Sequence, residues 1–126
     1  MVVFALTIGW AMASCGGSDG AGDAGGSTEA RIVEVTAKEY SFNGDPGTIA
    51  SGDTIEFDVS NTGVLEHSME VLSSEGSSLG KTGRIEPGER EAVTVTFDEA
   101  GQYRLICDVD DHLSRGQSAN ITVVEG

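Results

Sequence analysis

From Arg31 onward, apolar residues recur at every second position, and this period constrains the fold more than any other feature. Val33, Val35 and Ala37 share one parity; so do Ile55, Phe57 and Val59, and again Val93, Val95 and Phe97. Polar residues such as Glu56, Asp58, Thr94 and Thr96 take the other parity. A period of two is that of a strand with one buried face. Turn-forming clusters separate these runs: Asn43-Gly44-Asp45-Pro46-Gly47, Ser51-Gly52-Asp53, Asn61-Thr62-Gly63, Pro87-Gly88 and Ala100-Gly101. No window carries a long helical stripe. The Gly/Ser-rich stretch from Ser73 to Gly83 is expected to be a long loop with at most one helical turn. The pattern predicts an all-β, two-sheet Greek-key sandwich of about seven or eight strands. The run from Asp98 to Tyr103 (DEAGQY) has the form of a tyrosine corner, in which a Tyr hydroxyl bonds back to a nearby backbone group.

The first thirty residues read differently. Residues 1–13 (MVVFALTIGWAMA) are uncharged and fall short of the roughly 20 residues needed to span a bilayer as a helix. They read as the apolar part of an export signal, residues 1–14. Met12-Ala13-Ser14-Cys15 resembles a bacterial lipobox, which makes Cys15 the expected lipidation site. Met stands where Leu is usual, and no basic residue precedes the apolar run, which points to a start further upstream. The alternative is an ordinary signal cleaved near Ala13. Residues 15–30 hold six glycines and no large apolar side chain, so they are expected to form a flexible tether. The domain is then residues 31–126, carried outside the cytoplasm on a membrane anchor.

The chain has 21 acidic and 7 basic residues, for a net charge of −14. All the basic residues and 18 of the acids lie in the domain, which therefore carries −11. Such a surface argues against nucleic acid, because phosphate contacts need clustered Lys and Arg. It fits either a docking face for a basic redox partner, such as a c-type cytochrome, or simple solubility and salt adaptation. Self-repulsion favours a monomer. With two cysteines, a disulfide framework is excluded.

Parity also directs polar residues inward. Cys107 shares the face of Tyr103 and Leu105, His67 that of Met69 and Val71, and Gln117 that of Ala119, Ile121 and Val123. His112 lies midway between Cys107 and Gln117, in the connecting loop. One thiol, two imidazoles and one amide can therefore converge at one end of the sandwich. Taken singly, each has a plainer reading: an inert buried thiol, a satisfied core histidine, a solvated base, an ordinary amide. Met69, the only methionine after Cys15, has the parity of a core residue.

The run from Tyr103 to Gln117 (YRLICDVDDHLSRGQ), with Asn61 to His67 upstream, resembles the copper loop of the cupredoxins, small blue-copper proteins of plastocyanin- and halocyanin-like Greek-key fold. The resemblance covers residues 31–126. It implies one type 1 copper ion with Cys107, His67 and His112 as its equatorial ligands and Gln117, as in stellacyanin-type loops, as a weak axial ligand. It further implies a one-electron carrier, not an enzyme, with His112 and the neighbouring Leu113, Val64 and Leu65 as the electron exit. An axial amide oxygen and Asp108, Asp110 and Asp111 would favour Cu(II) and lower the potential. Ser68 stands where many members have the Asn that braces the copper loops, which leaves the bracing of this loop open. No second bridging cysteine exists for a dinuclear centre. No histidine is left for a second copper, a substrate site or a Ser-His-Asp set.

Other readings stay open at this stage. Cys/His₂ with a fourth ligand also suits zinc. The domain could instead be a copper-binding module that delivers or buffers metal, or an accessory cupredoxin domain of the kind attached to iron-uptake lipoproteins. A metal-free adhesion or assembly sandwich is disfavoured by the Cys107–His112–Gln117 spacing.

Overall fold

A computed structural model describes residues 29–126. The expected signal, Cys15 and nearly all of the tether lie outside them. Among the described residues, nine strands run in chain order: β1 (Arg31–Lys38), β2 (Ser41–Asn43), β3 (Ile49–Ala50), β4 (Asp53–Asn61), β5 (Glu70–Leu72), β6 (Ser78–Lys81), β7 (Arg90–Phe97), β8 (Gly101–Ile106) and β9 (Ser118–Val124). They form two mixed sheets, of order β2-β1-β4-β7 and β3-β9-β8-β5-β6. The sandwich is the expected one, with β2 and β3 as short additions at the sheet edges.

The alternation in sequence becomes the core. Val33, Val35 and Ala37 of β1 lie beside Phe57, Val59 and Asn61 of β4 in a parallel register. Ile55 and Phe57 face Val95 and Val93 of the antiparallel β7. The apolar side chains among these form one buried core with Met69 and with Val71, Leu105, Ile121 and Val123 of the opposite sheet. Each large one contributes about 1.5–3 kcal/mol through burial. Phe97 packs edge-on against both Phe57 and Tyr103, at ring-centroid distances of 6.3 and 4.9 Å. Outside, Thr54 and Thr96 join hydroxyls at 2.9 Å across the β4–β7 pair. The tyrosine corner is formed: the Tyr103 hydroxyl donates to the Glu99 carbonyl at 2.6 Å.

The stretch from Ser73 to Gly83 departs from the expected loop. Residues 73–77 close a turn, with Gly76 N–H donating to the Ser73 carbonyl and Ser77 N–H to the Ser73 hydroxyl. Residues 78–81 then form β6, an edge strand paired with β5 across a register shift at Val71/Leu72. Its side chains are mostly exposed, so it has no alternating apolar signal. Main-chain pairing alone defines it.

Candidate metal centre

The candidate ligands gather where the ends of three segments meet. β8 ends at Ile106, one residue before Cys107, and β9 begins at Ser118, one residue after Gln117. His67 sits in the connection from β4 to β5, held by a two-way bridge to Ile85: His67 N–H donates to the Ile85 carbonyl at 3.1 Å, and Ile85 N–H to the His67 carbonyl at 2.7 Å. Asn61, buried at the end of β4, secures the same connection. Its amide donates to the carbonyls of Leu65 and Ile85, and its oxygen accepts from Gly63 N–H.

The loop between Cys107 and Gln117 is folded by successive tight turns. His112 N–H donates to the Val109 carbonyl, Gly116 N–H to Leu113, and Gln117 N–H to His112, while Cys107 N–H reaches the Gln117 carbonyl at 3.3 Å. Two residues adopt left-handed backbone. Asp110, at φ 44°, belongs to a residue type that tolerates this region, and Gly116, at φ 105°, is where a side chain would be strained.

Ligand atoms of His67, Cys107 and His112 lie within 4.8 Å of one another, and all three residues are buried. Cys107 Sγ stands 3.6 Å from His112 Nδ1, and the two imidazole centroids are 4.9 Å apart. Gln117 is fully buried; its amide nitrogen donates to the carbonyls of Lys38 and Ser41, both at 3.2 Å. Only an NH₂ group can satisfy two carbonyls, so the amide oxygen is left free. Among the described residues, two buried side-chain polar atoms have no hydrogen-bond partner, and they are His67 Nδ1 and Gln117 Oε1. An unpartnered buried acceptor is destabilising by about 1–3 kcal/mol. Here both occur on the residues expected to meet a cation, which would supply the missing partner. Met69 is buried in the core, as its parity required.

The arrangement also explains residues whose roles the sequence left open. Ser68 braces the loop in place of Asn: its hydroxyl lies 2.5 Å from Asp108 Oδ1, accepts from Asp108 N–H at 3.2 Å, and stands 3.9 Å from Cys107 Sγ. Lys81 completes the brace with a 2.6 Å contact to Asp108 Oδ2. Lys81 and then Ser68 hold the Asp108 carboxyl below the usual carboxylate range. Asp111 pairs with Arg115 at 2.7 Å, and Arg115 lies over the Tyr40 ring, which packs in a T-shape with His112. Two of the three loop aspartates are therefore partly neutralised, and the third occupies a left-handed position. Their combined field on the site is weaker than formal charge implies.

One residue of the site carries no signal in the sequence. Glu39, just past β1, places Oε1 2.9 Å from His67 Nε2 and accepts from Leu65 and Val64 N–H at 2.8 and 3.0 Å. Burial alone would raise its carboxyl, but the Leu65 amide, the His67 ring and the Val64 amide bring it down to about 2. It is one of 21 acids, and nothing local sets it apart.

A buried thiol clustered with two imidazoles at one end of a β-sandwich defines a small metalloprotein whose His/Cys/His site is compatible with one copper ion. The sequence from residue 2 to residue 123 matches the family model of the cupredoxin-like domain, and the chain belongs to that family. No curated protein matched the sequence. Among solved structures, it is similar to reduced auracyanin from the photosynthetic bacterium Roseiflexus castenholzii, at 19% identity over 76% of this chain and 99% of that one, with a TM-score of 0.65. It is also similar to auracyanin A, a "blue" copper protein from the green thermophilic photosynthetic bacterium Chloroflexus aurantiacus, at 18% identity over 75% and 99%, with a TM-score of 0.64. The copper nitrite reductase of Nitrosomonas europaea shares 25% identity over 77% of this chain but 42% of its own, with a TM-score of 0.55. Blue copper proteins and a copper enzyme thus share this fold.

Proposed function

We propose that this protein is an extracytoplasmic one-electron carrier, with a single type 1 copper ion held by His67, Cys107 and His112 and weakly by Gln117. The observation that carries the reading is the coincidence of the two unpartnered buried atoms, His67 Nδ1 and Gln117 Oε1, with a clustered thiol and second imidazole. When bound, copper would supply the Cu(II)/Cu(I) couple, accepting one electron from a donor protein and passing it to an acceptor. The chain's own part is to hold the ligands still, exclude water and offer a contact surface. A carrier needs no substrate pocket, and both histidines are already committed to the cluster. Burial of all three clustered residues favours carrier over delivery module, because buried ligands slow metal exchange.

His112 is 3% exposed and borders a surface depression with Val64, Leu65, Pro87 and Val109. Val64 is 81% exposed, Leu65 44% and Leu113 38%. These side chains are the proposed electron exit. Glu66, Glu86 and Asp110 edge the same depression and suit a partner with a basic face, such as a c-type cytochrome. Export and tethering rest on the apolar residues 1–13 and on Cys15, and mass spectrometry of Cys15 for an attached lipid tests them.

The deciding experiment is an optical spectrum after adding Cu(II). An intense band in the red, with a reversible couple and slow loss of metal to a chelator, is expected. A colourless protein, or one preferring zinc, refutes the assignment.

A further inference from the structure

Each histidine of the cluster has a second ring nitrogen, and the two are supported differently. His67 Nε2 meets a carboxylate, whereas His112 packs in a T-shape with Tyr40 and, among the described residues, has no carboxylate partner. We propose that Glu39 is a positioning residue of the metal site, whose carboxylate sets the tautomer and orientation of His67 and biases the site toward Cu(II). The proposal rests on the copper reading above.

The argument begins with proton counting. An ionised carboxylate only accepts, so the His67 nitrogen facing it must carry the N–H. A neutral imidazole has one such proton, so Nδ1 is left bare, and this is the buried atom without a partner. Without Glu39, either nitrogen could hold the proton, and the tautomer protonated at Nδ1 would aim a hydrogen at the metal position. Glu39 also fixes the backbone beside the ring, since the same oxygen accepts from Val64 and Leu65 N–H. A Cβ on Gly63 would collide with the carboxylate, so the close approach needs glycine there. Asn61 and the Ile85 bridge hold the other side of the connection. The contact is sheltered: His67 is fully buried and the Glu39 side chain 22% exposed. A carboxylate behind a ligating imidazole makes it a more basic donor, and such partners are typically worth about 10–100-fold in metal affinity. The added negative charge stabilises the more positive oxidation state.

The test uses the full chain with Glu39→Gln and Glu39→Ala. Gln keeps an acceptor of the same length but removes the charge, so it separates tautomer from charge. In metal-free protein, two-bond ¹H–¹⁵N NMR is expected to find His67 protonated at Nε2 in wild type and Glu39→Gln, and mixed or at Nδ1 in Glu39→Ala. With copper, Glu39→Gln is expected to keep the visible band and raise the reduction potential. A tenfold loss of Cu(II) relative to Cu(I) corresponds to 59 mV. Glu39→Ala is expected to bind Cu(II) about 10–100-fold more weakly. A wild-type His67 protonated at Nδ1 overturns the proposal, as do wild-type potential and affinity in both variants. The NMR measurement needs no copper, so failure of the chain to take up copper refutes the carrier reading while the Glu39 contact is judged separately.

Discussion

His67 and His112 lie with ring centroids 4.9 Å apart, yet the chain around each is held by different forces. Around His67, the contacts tie together segments that are mostly remote in sequence: Asn61 ties Leu65 to Ile85, Ile85 pairs with His67, and Glu39 arrives from beyond β1. Around His112, they are local turns a few residues long, aided by the exposed Lys81–Asp108 and Asp111–Arg115 pairs. The first region is a tertiary clamp, and the second is a loop closed mainly by its own turns and braced from outside by Ser68, Lys81 and Tyr40. The clamp is therefore expected to suffer most from removal of a single buried group, and the loop to tolerate surface changes and to be sensitive mainly at its special backbone positions.

The comparison can be broken most severely at the residue both regions converge on. Cys107→Ser is expected to abolish the intense visible band of the copper-loaded protein, because that band needs the thiolate; an unchanged spectrum would sink the assignment. On the clamp side, Asn61→Ala leaves the Leu65 carbonyl and the Gly63 N–H without their side-chain partner and takes away one of the two donors to the Ile85 carbonyl. The expected loss is about 1–3 kcal/mol in urea unfolding of the metal-free protein. On the loop side, Gly116→Ala places a side chain at φ 105° and is expected to destabilise by more than about 1 kcal/mol, with a weaker or shifted copper band as Gln117 moves. Gln117→Met replaces a hard oxygen with a thioether and is expected to raise the reduction potential, by about 59 mV for each tenfold shift of preference toward Cu(I). A potential that falls or stays put removes Gln117 from the ligand set. The smallest effect is expected from Lys81→Ala, since both partners of that pair are more than a third exposed. Its unfolding midpoint should move little, and less still at high salt. A large change there would mean that the loop depends on its surface pairs after all.

The same contrast marks what could be read without coordinates. Strand parity alone placed Cys107, His67 and Gln117 inward, because a side chain two residues along a strand returns to the same face. The Cys107–His112–Gln117 spacing was legible because the loop is closed by hydrogen bonds between near neighbours in sequence. Glu39 was not, since 28 residues separate it from His67 and only the folding of β1 against the site end brings them together. The Ser68–Asp108–Lys81 brace was hidden for the same reason, its members lying 40 and 27 residues apart. Strand β6 escaped detection because an exposed edge strand needs backbone partners and no particular side chains.

By itself, then, the sequence determined the two-faced strands, the turns between them, and a loop that carries a thiol, an imidazole and an amide at equal spacing. The tertiary structure alone decided that Nδ1 of His67 and the amide oxygen of Gln117 are left without a partner, and which charges in the loop are neutralised. The physical reason is range. Backbone period and turn chemistry act over a few residues and are written locally. A hydrogen bond between remote side chains exists only once the two sheets have packed and set the distance between them.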